Sequence, residues 1–136
     1  MVEATVAVTS ENFKSIAEKD GIVLLDWWAS WCGPCRIFAP TFEKVARAHP
    51  DITFGKVNTE EQQELAAEFQ IMSIPTLMIL RDRVMLFQQP GALPEEALED
   101  LIRQVRAIDM DKVRADIAAH EAGHAQEQGG PDSSAR

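Results

Sequence analysis

The run Ile22-Val23-Leu24-Leu25-Asp26-Trp27-Trp28-Ala29 constrains this chain more than any other segment. It is too densely apolar for a strand with one wet face. It reads as a central strand buried on both sides, the kind found in sheets covered by helices. Its single acid, Asp26, then has little water to solvate a charge, so its pKa is expected to rise and the carboxyl to stay largely neutral. Trp27 and Trp28 read as core and support residues.

The rest of the chain alternates strand and helix around that run. Thr5 to Val8 alternates as a short strand, and Thr9 or Ser10 can cap a helix reaching about Lys19 before Gly21 ends it. Cys32 opens a long helix to about Ala48, with Pro40 expected to kink it. Ile52 to Val57 reads as a strand and Thr59 to Phe69 as a helix. Thr76–Leu80 and Val84–Gln88 read as two strands joined by the tight turn Arg81-Asp82-Arg83. A helix follows Pro94, with Leu98, Leu101, Ile102 and Val105 as its apolar stripe. This order predicts an α/β fold: a mixed five-stranded sheet with helices on both faces, four in all.

After Ile108 the pattern changes. Met110, Val113 and Ile117 form a second stripe, rotated by roughly a quarter turn from the one ending at Val105. One straight helix cannot dock both stripes on one core, so a break is expected near Ile108-Asp109. The reading divides the chain into a domain over 1–108, a short helical extension over 109–122 and a tail over 123–136. In that tail Gly, Gln, Ser and Asp dominate and order is expected to fail.

A length of 136 residues suits one domain with a real core. Thirteen basic residues against 22 acidic ones leave a net charge of −9, which disfavours nucleic acid and anionic membranes as partners. The N-terminus has no basic segment followed by an apolar run, and no stretch nears the roughly 20 apolar residues of a membrane span. A cytoplasmic, membrane-free protein, monomeric in solution, is the expectation.

The chain has only two cysteines, in Trp31-Cys32-Gly33-Pro34-Cys35, between a strand and a helix. A cysteine at a helix N-terminus meets unpaired N–H groups and a partial positive charge, and both stabilise a thiolate. Residues i and i+3 share a helix face, so the two sulfurs can meet. Cys32, at the outer end, is the expected nucleophile; Cys35, one turn deeper, is the expected resolving thiol. An isolated C-x-x-C also fits zinc binding or two inert core thiols, but the strand–turn–helix setting disfavours both.

The stretch from Asp26 through Trp31-Cys32-Gly33-Pro34-Cys35-Arg36 resembles the active-site signature of the thioredoxin family. The likeness continues through Lys56-Val57-Asn58, Ile74-Pro75-Thr76 and Gly91, over about residues 5–108. The resemblance implies a thioredoxin fold and a protein-disulfide reductase cycling a Cys32–Cys35 disulfide. It implies Asp26 as general base for Cys35, with Lys56 tuning it, and Pro75 as a cis proline facing the disulfide. Ile74 would offer its backbone to an extended substrate. Trp31, Gly33, Pro34, Ile74 and Gly91 would form an apolar patch around Cys32. It implies no bound cofactor or metal, disulfide-containing protein substrates, and electrons from NADPH through a flavoprotein thioredoxin reductase.

The chain departs from the family pattern in two places. The turn Arg81-Asp82-Arg83 lacks the usual glycine, so a left-handed Arg83 costs roughly 1–2 kcal/mol. Pro90 stands just before Gly91 and has no N–H to give, so its strand should be an edge that ends there. His120-Glu121-Ala122-Gly123-His124 matches H-E-x-x-H, but a glycine interrupts it and a third ligand is missing, so a zinc protease is not expected. The amphipathic segment after Met110 supports one alternative, a thioredoxin-fold chaperone or interaction module that docks a partner through its extension.

Overall fold

The computed structural model describes residues 3–129, with side chains as far as Gly123. The elements are β1 (Thr5–Ala7), α1 (Phe13–Ala17), β2 (Ile22–Trp28), α2 (Gly33–Ala48), β3 (Thr53–Asn58), α3 (Gln63–Glu68), β4 (Thr76–Arg81), β5 (Val84–Pro90), α4 (Glu95–Ala107) and α5 (Met110–Gly129). They form two compact units, one through Ile102 and one from Arg103 onward.

In the first unit the five strands make one mixed sheet in the order β1-β3-β2-β4-β5. β2 lies in the middle, parallel to β3 and antiparallel to β4. Its alternate side chains enter two cores. Val23, Leu25 and Trp27 face one side, where they pack with Val8, Ile16, Val57, Leu65, Met78 and Leu80 under α1 and α3. Leu24 and Asp26 face the other. There Leu24 sits beside its β3 partner Phe54, whose ring meets Phe42 of α2 at 5.2 Å. The Lys44–Glu95 and His49–Glu99 pairs tie α2 to the start of α4 on that face.

α1 is shorter than its capping residues suggested. The Asn12 side chain accepts from the Thr9 N–H and donates to the Ala7 carbonyl, so it holds residues 9–12 in a turn. Such local side-chain bonds compete with helix formation. Asn12, rather than Thr9 or Ser10, occupies the N-cap position. α3 likewise begins at Gln63 instead of Thr59. Asn58 Oδ1 accepts from the Glu60 and Glu61 N–H groups and bends the chain first.

The β4–β5 hairpin keeps a two-residue turn although it lacks glycine. Asp82 and Arg83 have φ of 50° and 72°, the left-handed pair that matches strand twist. Asp82 offsets part of the strain: its Oδ1 accepts from the Gly21 N–H, and its own N–H donates to the Gly21 carbonyl. Arg83 reaches Asp20. β5 is an edge strand and ends at Pro90, as the proline requires.

In the second unit the helix breaks at Ile108-Asp109, where the two stripes fall out of phase. Asp109 restarts it by accepting from the Lys112 N–H at its side chain and from the Val113 N–H at its carbonyl. α5 then runs to Gly129, past Gly123, where order was expected to fail. One glycine in a helix costs only about 1 kcal/mol, and Ala118, Ala119, Ala122 and Ala125 around it are strong helix formers. The remainder of the expected tail, 130–136, lies outside the described residues.

Gly55 lies in β3 between β1 and β2, and a Cβ there would come within 2.6 Å of Val8 and 2.8 Å of Leu25. Both neighbours are buried, and Val8 is stiff at χ1. Gly55→Ala should lower the unfolding free energy by about 1–3 kcal/mol in urea titration, as overpacking does.

Candidate active site

The site forms where β2 ends and α2 begins. Cys32 is the N-cap of α2 and has extended backbone, with Pro34 in the first turn, where a missing N–H is harmless. The Cys32 Sγ accepts from the Cys35 N–H at 3.2 Å. A helix N-terminal donor therefore points at the sulfur that would carry the thiolate charge. Cys32 and Cys35 are joined as a disulfide, with Cα atoms 5.2 Å apart.

Both sulfurs are more covered than the outer position of Cys32 suggested. Cys32 is 4% exposed and Cys35 slightly less. What separates them is their surroundings. Cys32 lines an open groove of about 510 Å³, together with Trp31, Gly33, Pro34, Thr59, Ile71, Met72, Ser73 and Ile74. Both cysteines pack with Ala29 against Trp28 and Ile74. Of the two, Cys32 alone lines the groove.

The far wall is built by the loop before β4. The Ile74–Pro75 bond is cis, and the Ile74 carbonyl lies 3.6 Å from Cys32 Sγ. Thr76 Oγ1 closes the loop by donating to the Ser73 carbonyl. Gly91, at φ 114°, gives its N–H to the Pro75 carbonyl at 2.8 Å. It therefore braces the cis turn. Thr59, Ile71, Met72 and Ser73 line the groove without having been singled out in the sequence. The signal was present: Ile71-Met72 is an apolar pair in a loop, one residue before Ile74-Pro75.

Asp26 is fully buried on the α2-facing side of β2, and neither of its oxygens has a hydrogen-bond partner. Burial pushes its pKa up to about 7, against the pull of the Lys56 charge. Lys56 is its cross-strand neighbour on β3, with Nζ 4.7 Å from the centre of the Trp28 ring. Thr59 ties the end of β2 to the groove, since its N–H and its hydroxyl both donate to the Trp28 carbonyl. His120 and Glu121 lie on α5, while the side chain of His124 is outside the described residues. Among the described residues, no three His, Cys, Asp or Glu side chains gather as a metal site.

A helix-capping cysteine that opens on an apolar groove, bonded to a second cysteine one helical turn on, defines a protein of dithiol–disulfide exchange. Comparison with known proteins places it further. The family model described as Thioredoxin matches residues 4–104. A Streptomyces coelicolor protein named thioredoxin 2 is 56% identical over 119 residues, covering 88% of this chain and 89% of the relative. The thioredoxin of Alicyclobacillus acidocaldarius is 43% identical over 103 residues, covering 75% of this chain and 98% of the relative. The structure of a mutant thioredoxin from Halobacterium salinarum NRC-1 matches with a TM-score of 0.71 at 26% identity, covering 80% of this chain and 97% of that one. The chain belongs to the thioredoxin family and is a thiol–disulfide oxidoreductase.

The raised pKa of Asp26 links stability to pH. The folded state holds its proton up to about pH 7, while the unfolded carboxyl releases it near its ordinary pKa of 3.8. Folded stability therefore falls as pH rises from about 4 to 7 and levels off above. Asp26→Ala removes this dependence. In urea unfolding of the oxidised protein, the advantage of the variant should widen by about 2–3 kcal/mol between pH 5 and pH 8.

Proposed function

We propose that this protein is a general protein-disulfide reductase in which Cys32 attacks, Cys35 resolves and Asp26 moves the proton. The observation that carries the reading is the asymmetry of the two sulfurs: Cys32 lines the groove and accepts from the Cys35 N–H, and Cys35 does not line it. The Cys32 thiolate attacks one sulfur of a substrate disulfide. The substrate S–S bond breaks, a mixed disulfide forms, and the first substrate thiolate leaves. Asp26 then accepts the Cys35 proton, and the Cys35 thiolate attacks Cys32 Sγ. The mixed disulfide breaks, the second substrate thiolate leaves, and a Cys32–Cys35 disulfide remains.

A base with a pKa of about 7 suits proton transfer near neutral pH. Lys56 keeps that value from climbing further by favouring the charged carboxylate. Pro75 and Ile74 shape the wall against which an extended substrate lies, with Trp31, Gly33 and Pro34 opposite and Gly91 bracing the turn. Oxidised protein returns to the dithiol through a flavoprotein thioredoxin reductase drawing on NADPH. The chain works in the cytoplasm, on disulfide-containing proteins. Residues 1–108 form the redox domain in this reading and 109–122 a helical extension. The family match over 4–104 supports the first assignment.

Incubation with a disulfide protein such as insulin should leave Cys35→Ser trapped as a mixed disulfide on non-reducing gels, and Cys32→Ser free. Trapping by Cys32→Ser instead would reverse the two roles. In stopped-flow tryptophan fluorescence, the release step should quicken about tenfold per pH unit below 7 and flatten above. Asp26→Asn should slow that step roughly 10- to 100-fold at pH 7.5 and leave the first attack unchanged.

A further inference from the structure

We propose that Met72 is a modification site for peroxides, whose oxidation to the sulfoxide loosens the groove's hold on protein substrates without touching the cysteines. This rests on the reading of the groove as the docking place for disulfide partners.

Met72 is 91% exposed, the most exposed large apolar side chain among the described residues. It lines the same groove as Cys32 and Trp31, which is itself 66% exposed. No charged residue lines that groove, and its only polar side chains apart from the sulfur and the indole are Thr59 and Ser73. The wall is therefore adhesive chiefly through apolar contact, and methionine is suited to that because it is flexible and polarisable. The same thioether is the weak point of the surface. Met78 and Met110 are buried, and Met85, at 50% exposure, stands on β5 away from the groove.

The redox state of the site sharpens this vulnerability. In the dithiol form, Cys32 offers a peroxide a better nucleophile than any thioether. In the disulfide form neither cysteine titrates or has a free thiolate. Met72 is then the reduced sulfur presented at the groove. A hydroperoxide transfers its terminal oxygen to the Met72 sulfur. The O–O bond breaks and the S–O bond forms. The thioether loses two electrons, and the peroxide is reduced to water or to an alcohol. The product sets a strong acceptor where a partner's apolar side chain would rest, so docking leaves a polar group without a partner. A small disulfide, which needs only to reach Cys32, would not register the change.

The test uses the full chain in its disulfide form. It is treated with hydrogen peroxide, freed of the oxidant, reduced with dithiothreitol, which leaves a sulfoxide intact, and desalted. Peptide mass spectrometry should find the added oxygen on Met72 before Met85 or Trp31. The bimolecular rate constant for reduction of insulin should then fall about five- to tenfold. The rate with bis(hydroxyethyl) disulfide should be unchanged, and Met72→Leu should show the same treated and untreated rates with insulin, whatever its untreated rate. Oxidation at Met85 or Trp31 ahead of Met72 would overturn the proposal. So would a Met72 sulfoxide that reduces insulin at the untreated rate, or an equal loss with both substrates. Failure of the untreated protein to reduce insulin at all would instead remove the reductase reading beneath it.

Discussion

Strand β2 is bonded along both edges and covered on both faces, and the chemistry begins where it runs out. Its central place forces its side chains from Ile22 to Trp27 out of water, including Asp26, whose oxygens find no partner. It also fixes where α2 must begin, since the chain leaves the sheet after Trp28 and turns into a helix at Gly33. Cys32 falls at the only position that is both the end of that turn and the cap of the helix. The sulfur therefore meets a helix N-terminal donor as a consequence of how the strand ends.

The same strand explains why the site opposes stability. A neutral carboxyl in an apolar core needs no counter-charge, but it resists ionisation with the full weight of its desolvation. That resistance sets a proton acceptor near neutral pH, where a solvated aspartate would be a far weaker base. Lys56, across one strand and stacked on Trp28, limits the effect without forming a direct bond to the carboxyl. In the proposed cycle, function draws on an energetic penalty that the two apolar cores on either side of the sheet offset.

The central strand, the cysteine pair and the sheet composition were legible because each rests on a strong local pattern: a dense apolar run, a fixed spacing, a period of two. The break before Met110 was legible for the same reason, as two stripes out of phase. The short helices were not. Their starts are decided by Asn12 and Asn58, whose side chains bond the nearby backbone and hold it in turns, and helical periodicity carries no trace of that competition. The groove was half legible. Trp31, Gly33, Pro34 and Ile74 were named from their motifs, whereas Thr59, Ile71, Met72 and Ser73 arrive from separate loops. Only the fold brings those loops to one wall. Gly91 was named as part of the apolar patch, and its bond to the Pro75 carbonyl, which braces the cis turn, was not foreseen.

The sheet's two borders bear on a different hazard. β1 offers only three residues to a newcomer, and β5 is interrupted by a register shift opposite Ile79 and Leu80 and closed by a proline. Incompletely folded chains carry unpaired strands. An open, regular border would invite those chains to add themselves to the sheet and stay there. Short, irregular borders deny them that template, so edge-to-edge aggregation is discouraged by the shape of the backbone itself.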